Sequence, residues 1–291
     1  MTAASEVVSI PFLGDQQDVR LVGEVKTDSD TLVTAARIVM LGLLTSLIWK
    51  IRYFVGGIAI TFHYPVVDPF FPRWLQSSVT FAGMYFGYLL LLVALAFKPR
   101  RRHSVLITVM MTLFAFGMVV HQHSYNDMTF FTVFWVSLWL TWFLSRINCE
   151  SAKELLPRAV FLSHVVLSMI LLGGAVGKYT PGYWSGEVMY EIYFKGRDYW
   201  VFEMLRSVFS GDDLRQVAAW YSRFIIVVES AGGMLWLLPP RVASAMAILI
   251  LCGIFTFSNW FLVSVLACLI GLASIAFLNE KATDEMASSA A

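Results

Sequence analysis

The sequence predicts an all-α fold, a polytopic membrane bundle of about eight transmembrane helices with re-entrant or interfacial segments on its outer side. Three observations carry this. The 291 residues are 58% hydrophobic, and only 14% are charged, against about 25% in a soluble domain. The apolar residues fall in successive runs near the length of a membrane span, about 17 to 25 residues. Short polar or proline-rich stretches punctuate the runs, and lysine and arginine are distributed unevenly among them. Residues 1–29 read as a polar tail, 30–278 as the helical domain and 279–291 as a second polar tail.

The elements follow in order. Asp28, Ser29 and Asp30 offer capping oxygens before a first helix over Thr31–Tyr53. Phe54–Arg73 is apolar but holds Gly56, Gly57, Pro65, Pro69 and Pro72, and prolines at that density predict an interfacial or re-entrant segment. The second helix is Trp74–Phe97 and the third Ser104–Val120, separated by the basic loop Lys98–Arg102. The polar loop His121–Met128 precedes the fourth helix, Thr129–Ser145. The charged stretch Arg146–Arg158 reads as a loop before the fifth helix, Ala159–Gly177. A sixth helix is expected over Val217–Leu238, stopped by Pro239 and Pro240. The seventh and eighth, Val242–Phe257 and Phe261–Phe277, are joined by Ser258, Asn259 and Trp260, and 242–277 reads as either two spans or one.

Charge sets the expected orientation. Lys98, Arg100, Arg101 and Arg102 share one short loop, which the positive-inside rule places in the cytoplasm. Alternation then puts both termini inside. No leader with a charged start, an apolar centre and a small-residue cleavage site opens the chain, so a multi-pass protein of the plasma (inner) membrane is expected for a bacterial source. The net charge of +1 argues against a nucleic-acid partner, leaving the lipid bilayer and a peptide, protein or membrane partner. Cys149, Cys252 and Cys268 form no Cys-x-x-Cys pair, which speaks against a disulfide framework, a zinc site or dithiol chemistry.

This topology collects polar groups at the outer face: His63, the His121–His123 loop, the Lys178 stretch and Asn259. Irregular backbone in a membrane is tolerated where it lines a protein cavity or water, so these segments predict a site there. The Gly173–Gly186 stretch is its centre. Lys178 follows an apolar run and precedes a Pro-Gly turn rich in aromatics. A lysine in such a place is either a snorkelling anchor or a group whose charge is set by its withdrawal from water. His121 and His123 are read as hydrogen-bonding residues, proton relays or substrate contacts; no spacing demands a metal. Tyr179, Tyr183, Trp184, Tyr190, Tyr193, Tyr199 and Trp200 form an interface belt or wall a pocket for a flat apolar ligand. Three ionisable residues fall inside predicted spans: His164, Arg223 and Glu229. His164 lies roughly 10 Å and Glu229 roughly 15 Å from the cytoplasmic ends of adjacent helices, close enough in depth for a hydrogen bond. They read as a polar clamp or as a proton path to Lys178. Arg223, six residues from Glu229, shares no helix face with it.

Four stretches together resemble one family. Lys178-Tyr-Thr-Pro-Gly-Tyr-Trp-Ser-Gly-Glu-Val-Met189, His123-Ser124-Tyr125 before a helix, Glu229-Ser-Ala-Gly232, and Phe255-Thr-Phe-Ser-Asn-Trp260 are similar, in order and spacing, to the membrane domain of the vitamin K-dependent gamma-glutamyl carboxylases. The broader group is the horizontally transferred transmembrane (HTTM) domain. The resemblance covers about Val119–Phe277. It implies an enzyme of the lyase or oxidoreductase kind that uses a reduced, vitamin K-like quinone and no metal. Lys178 would then be the base, His123 a supporting proton-handling residue and Glu229 a buried acidic group of the bundle, while the gathering at the outer face gives His63, His121, Tyr125, Tyr179, Trp184 and Asn259 as the pocket. Gln122 and Asn126 depart from the family pattern. The family's large soluble domain has no counterpart in the 291 residues, which leaves open a second reading: a non-catalytic membrane subunit or maturation factor for a secreted peptide or partner protein. A transporter along His164, Arg223 and Glu229 is the third, with no inverted repeat to support it.

Overall fold

The computed structural model describes residues 14–63, 68, 70–99, 103–124, 127–257 and 262–278. Every regular element among the described residues is helical. They are α1 (Gly14–His63), α2 (Ser78–Phe97), α3 (Ser104–Val120), α4 (Met128–Arg146), α5 (Ala152–Val176), the short α6 (Pro181–Trp184) and α7 (Glu187–Met189), α8 (Trp200–Val208), α9 (Gly211–Gly232), α10 (Pro240–Phe257) and α11 (Val263–Ala273). Three-residue 3₁₀ turns precede α2, follow α3 and follow α9, and a wide π turn, Tyr190–Lys195, follows α7.

Four helical stretches are long and apolar enough to cross a membrane: Asp30–Arg52 within α1, α2, α4 and α5. Ser104–Val120, Pro240–Thr256 and Val263–Leu278 are apolar but shorter. The described helices are therefore compatible with a membrane protein. α9 belongs to neither group, because Asp212, Asp213 and Arg215 occupy its first turns.

Three helices differ most from the sequence reading, and α2 starts at Ser78 rather than Trp74. α1 runs through Gly56 and Gly57 to His63 and begins at Gly14, inside the expected tail. Glycines weaken a helix but keep their N–H groups, whereas proline removes one; the prolines come only after His63. α5 starts at Ala152, so most of the expected charged loop is its first two turns. Pro157 is tolerated as the sixth helical residue, since the bond it removes falls on the first-turn carbonyl of Lys153, which is exposed. α9 starts at Gly211 and ends at Gly232, six residues earlier than expected at each end.

Hydroxyls and glycines fix the packing. Ser77 caps α2 by accepting from the Thr80 N–H, and Asp127 caps α4 by accepting from the Thr129 N–H at 2.9 Å. Tyr88 bonds Ser137 across α2 and α4 at 2.6 Å, and Thr129 bonds Ser264 across α4 and α11 at 2.8 Å. α1 and α11 pack against each other through small residues. A Cβ on Gly42 would lie 2.7 Å from the Ala267 carbonyl oxygen, and one on Gly271 would lie 3.3 Å from that of Ile38. Small residues allow such an approach where lipid supplies no hydrophobic drive.

Three apolar clusters result. The largest joins α1 to α4, the first half of α5 and the end of α11. A second joins the later half of α5 to α10 and α11. The third, around Met189, Phe194, Phe202, Leu214 and Ala218, joins the segment after α6 to the first half of α9. The early half of α9 thus packs on the α6–α8 segment past the end of α5. Its later half packs on α5 itself, where Gly232 meets Leu171 and Gly233 meets Leu172.

Candidate functional site

α5 ends in Gly173, Gly174 and the capping Gly177, and Lys178 turns back over that end. Its Nζ donates to the Gly174 carbonyl at 3.1 Å and to Glu229 Oε2 at 2.6 Å. Both are contacts that ammonium N–H donors make, and carbonyls at a helix C-terminus attract a cation. The side chains of Lys178 and Glu229 are 23% and 10% exposed. Gly174 makes room for the carboxylate, since a Cβ there would lie 3.3 Å from Glu229 Oε2 and 3.7 Å from Lys178 Nζ.

A second tie runs alongside, between the Tyr179 hydroxyl and Ser230 Oγ at 2.8 Å. Above the pair, α6 is strapped onto α9: Ser222 Oγ donates to the Tyr183 carbonyl at 2.5 Å, and Arg223 Nε to the Trp184 carbonyl at 3.1 Å. Gly186, at φ +83°, lets this strap touch α9, where a Cβ would lie 2.3 Å from Ala219 Cα. Tyr183 and Tyr221 each stand within electrostatic reach of Tyr193 and of Glu229. Burial pushes the Tyr183 phenol up, with Tyr193 and Glu229 adding to it. The result is an ammonium–carboxylate pair, poor in water, beside two phenols. Such a site can hold or move a proton and can bind a polar head attached to an apolar body.

The expected pairing of His164 with Glu229 does not form. His164 Nε2 bonds Ser244 Oγ of α10 at 2.9 Å, while Glu229 sits level with Gly174, ten residues along α5 from His164, or about 15 Å. The error lies in the depth assigned to α9: its first half packs on the α6–α8 segment, which leaves Glu229 near the end of α5. Arg223 is likewise placed beside α6, exposed at its guanidinium contact, rather than within a helix bundle.

The histidine pair forms a separate cluster at the same end. His121 is fully buried and stacks on Phe81 at 4.7 Å. Its Nε2 meets the Ser77 carbonyl at 3.1 Å, and its Nδ1 accepts from the His123 N–H at 3.2 Å. That fixes the tautomer with the proton on Nε2. His123 Nε2 bonds Ser78 Oγ at 3.1 Å. Burial pulls the His121 imidazole down to about 4 and lowers that of His123. Lys50 pairs with Asp127 nearby at 2.6 Å. These contacts staple the α3–α4 turn onto the start of α2; none of them reaches Lys178. The backbone of His63 lies nine residues past Phe54 on α1, about 14 Å of helix; its side chain, Tyr125 and Asn259 lie outside the described residues. Among the described residues, no group of three or more metal-binding side chains gathers.

Sequence reasoning missed Gly174, Tyr221, Ser230 and Ser244. Tyr221 lies eight residues before Glu229, on the same helical face, and that spacing was the available signal. The chain matches no protein-family profile, no curated protein and no solved structure.

Proposed function

We propose that this is a membrane-embedded proton-handling protein of about eight crossings, whose Lys178–Glu229 site binds a membrane-soluble, quinone-like ligand. The eight are α1 to α5, α9 with the turn after it, α10 and α11. The basic loop sequence at Lys98–Arg102 supports a reading with both termini in the cytoplasm and Lys178 at the outer face. The observation that carries the reading is the 2.6 Å Lys178–Glu229 contact at the end of α5. A charged pair in a membrane helix bundle is costly and marks a functional site.

The surroundings support a lipid-side ligand. Trp220, Phe224, Val227 and Met234 are 58–65% exposed and recur along one face of α9 and its continuation, the pattern of a surface turned to acyl chains. Because that stripe begins two turns before Glu229, the pair lies below the lipid boundary. Tyr179, Tyr183, Tyr193 and Trp184 supply flat apolar walls. A reduced quinone would bring an acidic hydroxyl and two electrons; Lys178 and Glu229 would orient it and exchange its proton. This agrees with the resemblance to the carboxylase membrane domain, with Lys178 as base. His123, bonded to Ser78, would act as a support of the neighbouring turn.

One observation favours the alternative, a non-catalytic membrane subunit or maturation factor. Lys178 Nζ is satisfied within the chain by Gly174 and Glu229, as a clamp between α5 and α9 would be. Organic extraction of the purified protein separates the two. The site reading expects an isoprenoid quinone in wild type and its loss in Lys178→Met. Equal recovery from both, or none from either with a retained stoichiometric protein partner, selects the subunit reading.

A further inference from the structure

We infer that Glu229 sets the charge of Lys178: the two form one unit sharing a proton, and the carboxylate, rather than bulk water, takes it when the amine must act as base. This rests on the functional reading above. The bridging proton already lies between Nζ and Oε2, 2.6 Å apart. Moving it across breaks the Nζ–H bond and forms an Oε2–H bond, leaving the electron pair on nitrogen. Ammonium and carboxylate become amine and carboxylic acid. Net charge is zero before and after, so the transfer creates no new charge in a site where charge is expensive. A lone lysine would instead have to expel a proton through the α6–α8 cover.

α5 contributes the Gly174 carbonyl, which holds the ammonium. α6 contributes Tyr183 and α9 Tyr221, both phenols, each within reach of Tyr193 on the π turn. α10 contributes apolar Ile250, next to Gly232. Among the described residues, Glu229 is the anion bonded to Lys178, and Gly174 gives its carboxylate clearance. Glu229 is thus a positioning residue that acts through Lys178.

The test uses the full chain in lipid nanodiscs and N-hydroxysuccinimidyl acetate, which acylates only neutral amines. Mass spectrometry gives the acylation of Lys178 relative to exposed Lys153 across a pH series. Glu229→Gln keeps the shape and removes the charge, and it is expected to raise Lys178 acylation by about ten-fold, because the amine loses its charged acceptor. Its rate profile should also extend to lower pH. Glu229→Asp should stay within a few-fold of wild type. Ser230→Ala loosens the Tyr179 tie without touching charge and should leave Lys178 near wild type. Unchanged acylation in Glu229→Gln overturns the inference. So does an equal rise in Ser230→Ala, which would mean access rather than charge. No quinone is needed, so a failure to bind quinone would sink the functional reading alone.

Discussion

Gly186→Ala isolates the strap that covers the site. Gly186 sits at φ +83°, a region that costs an L-residue about 1–2 kcal/mol. Replacing glycine lowers the entropy of the unfolded chain and returns about 0.4–1 kcal/mol, so the backbone terms leave a net cost of about 1 kcal/mol or less. The contact decides. A Cβ would lie 2.3 Å from Ala219 Cα, 2.5 Å from its N and 2.8 Å from its Cβ, where carbon atoms prefer about 3.5–4.0 Å. These are mainly backbone atoms that cannot swing aside, so α6 and α9 must separate by roughly 1 Å. Overpacking of that kind costs about 1–3 kcal/mol. Gly83→Ala is the control: a Cβ there meets nothing within 4 Å, and alanine in an α-helix gains about 0.8–1 kcal/mol over glycine. Thermal unfolding in nanodiscs, followed by tryptophan fluorescence, should give a lower midpoint for Gly186→Ala and an equal or higher one for Gly83→Ala. A Gly186→Ala midpoint equal to wild type would refute the close approach of strap and helix.

Three further outcomes are expected. Glu229→Leu and Lys178→Met should each destabilise, and the double variant should be milder than the sum of the two, because each single change strands a partly buried charge; the cost is about 3–5 kcal/mol for a fully buried pair and less here, and a double-mutant cycle by thermal unfolding measures it. His121, held down to about 4 by burial, binds its proton more readily unfolded than folded. Its contribution is therefore complete above about 6.5, the ordinary value, and is lost as pH falls toward 4, so His121→Gln should flatten the decline of the unfolding midpoint over that window. Cys149 is exposed between α4 and α5, and Cys268 is buried. On intact cells a membrane-impermeant maleimide should spare Cys149 until permeabilisation, whereas immediate labelling would reverse the orientation.

Much of the bundle was legible because α2, α3 and α4 are apolar runs with polar punctuation at both ends. Ser104–Val120 matches residue for residue, and α4 differs by one residue at each end. The helices whose ends are polar were harder. Glu154 and Pro157 disguised the start of α5, and Asp212, Asp213 and Arg215 disguised that of α9, since hydropathy reports lipid contact and not helicity. Lys178 stood out in the sequence by its setting, at the end of an apolar run. Its partner was not: Glu229 is 51 residues away, and pairing it required the register of α9, which rests on contacts with α6–α8 rather than on any periodicity. The same shift moved Glu229 away from His164. The histidines were legible as a cluster; that they staple a turn follows only from their carbonyl, hydroxyl and ring partners at the start of α2.

The proposed function requires a quinone-like ligand in the space beside Lys178 and Glu229. Photo-crosslinking in nanodiscs with an azido-substituted short-chain quinone, followed by peptide mapping, tests it most directly. Label in residues 172–184 and 221–234, competed by decylubiquinone and lost in Lys178→Met, is the predicted result. Label that decylubiquinone does not compete, that persists in Lys178→Met, or that falls at the His121–His123 turn would contradict it.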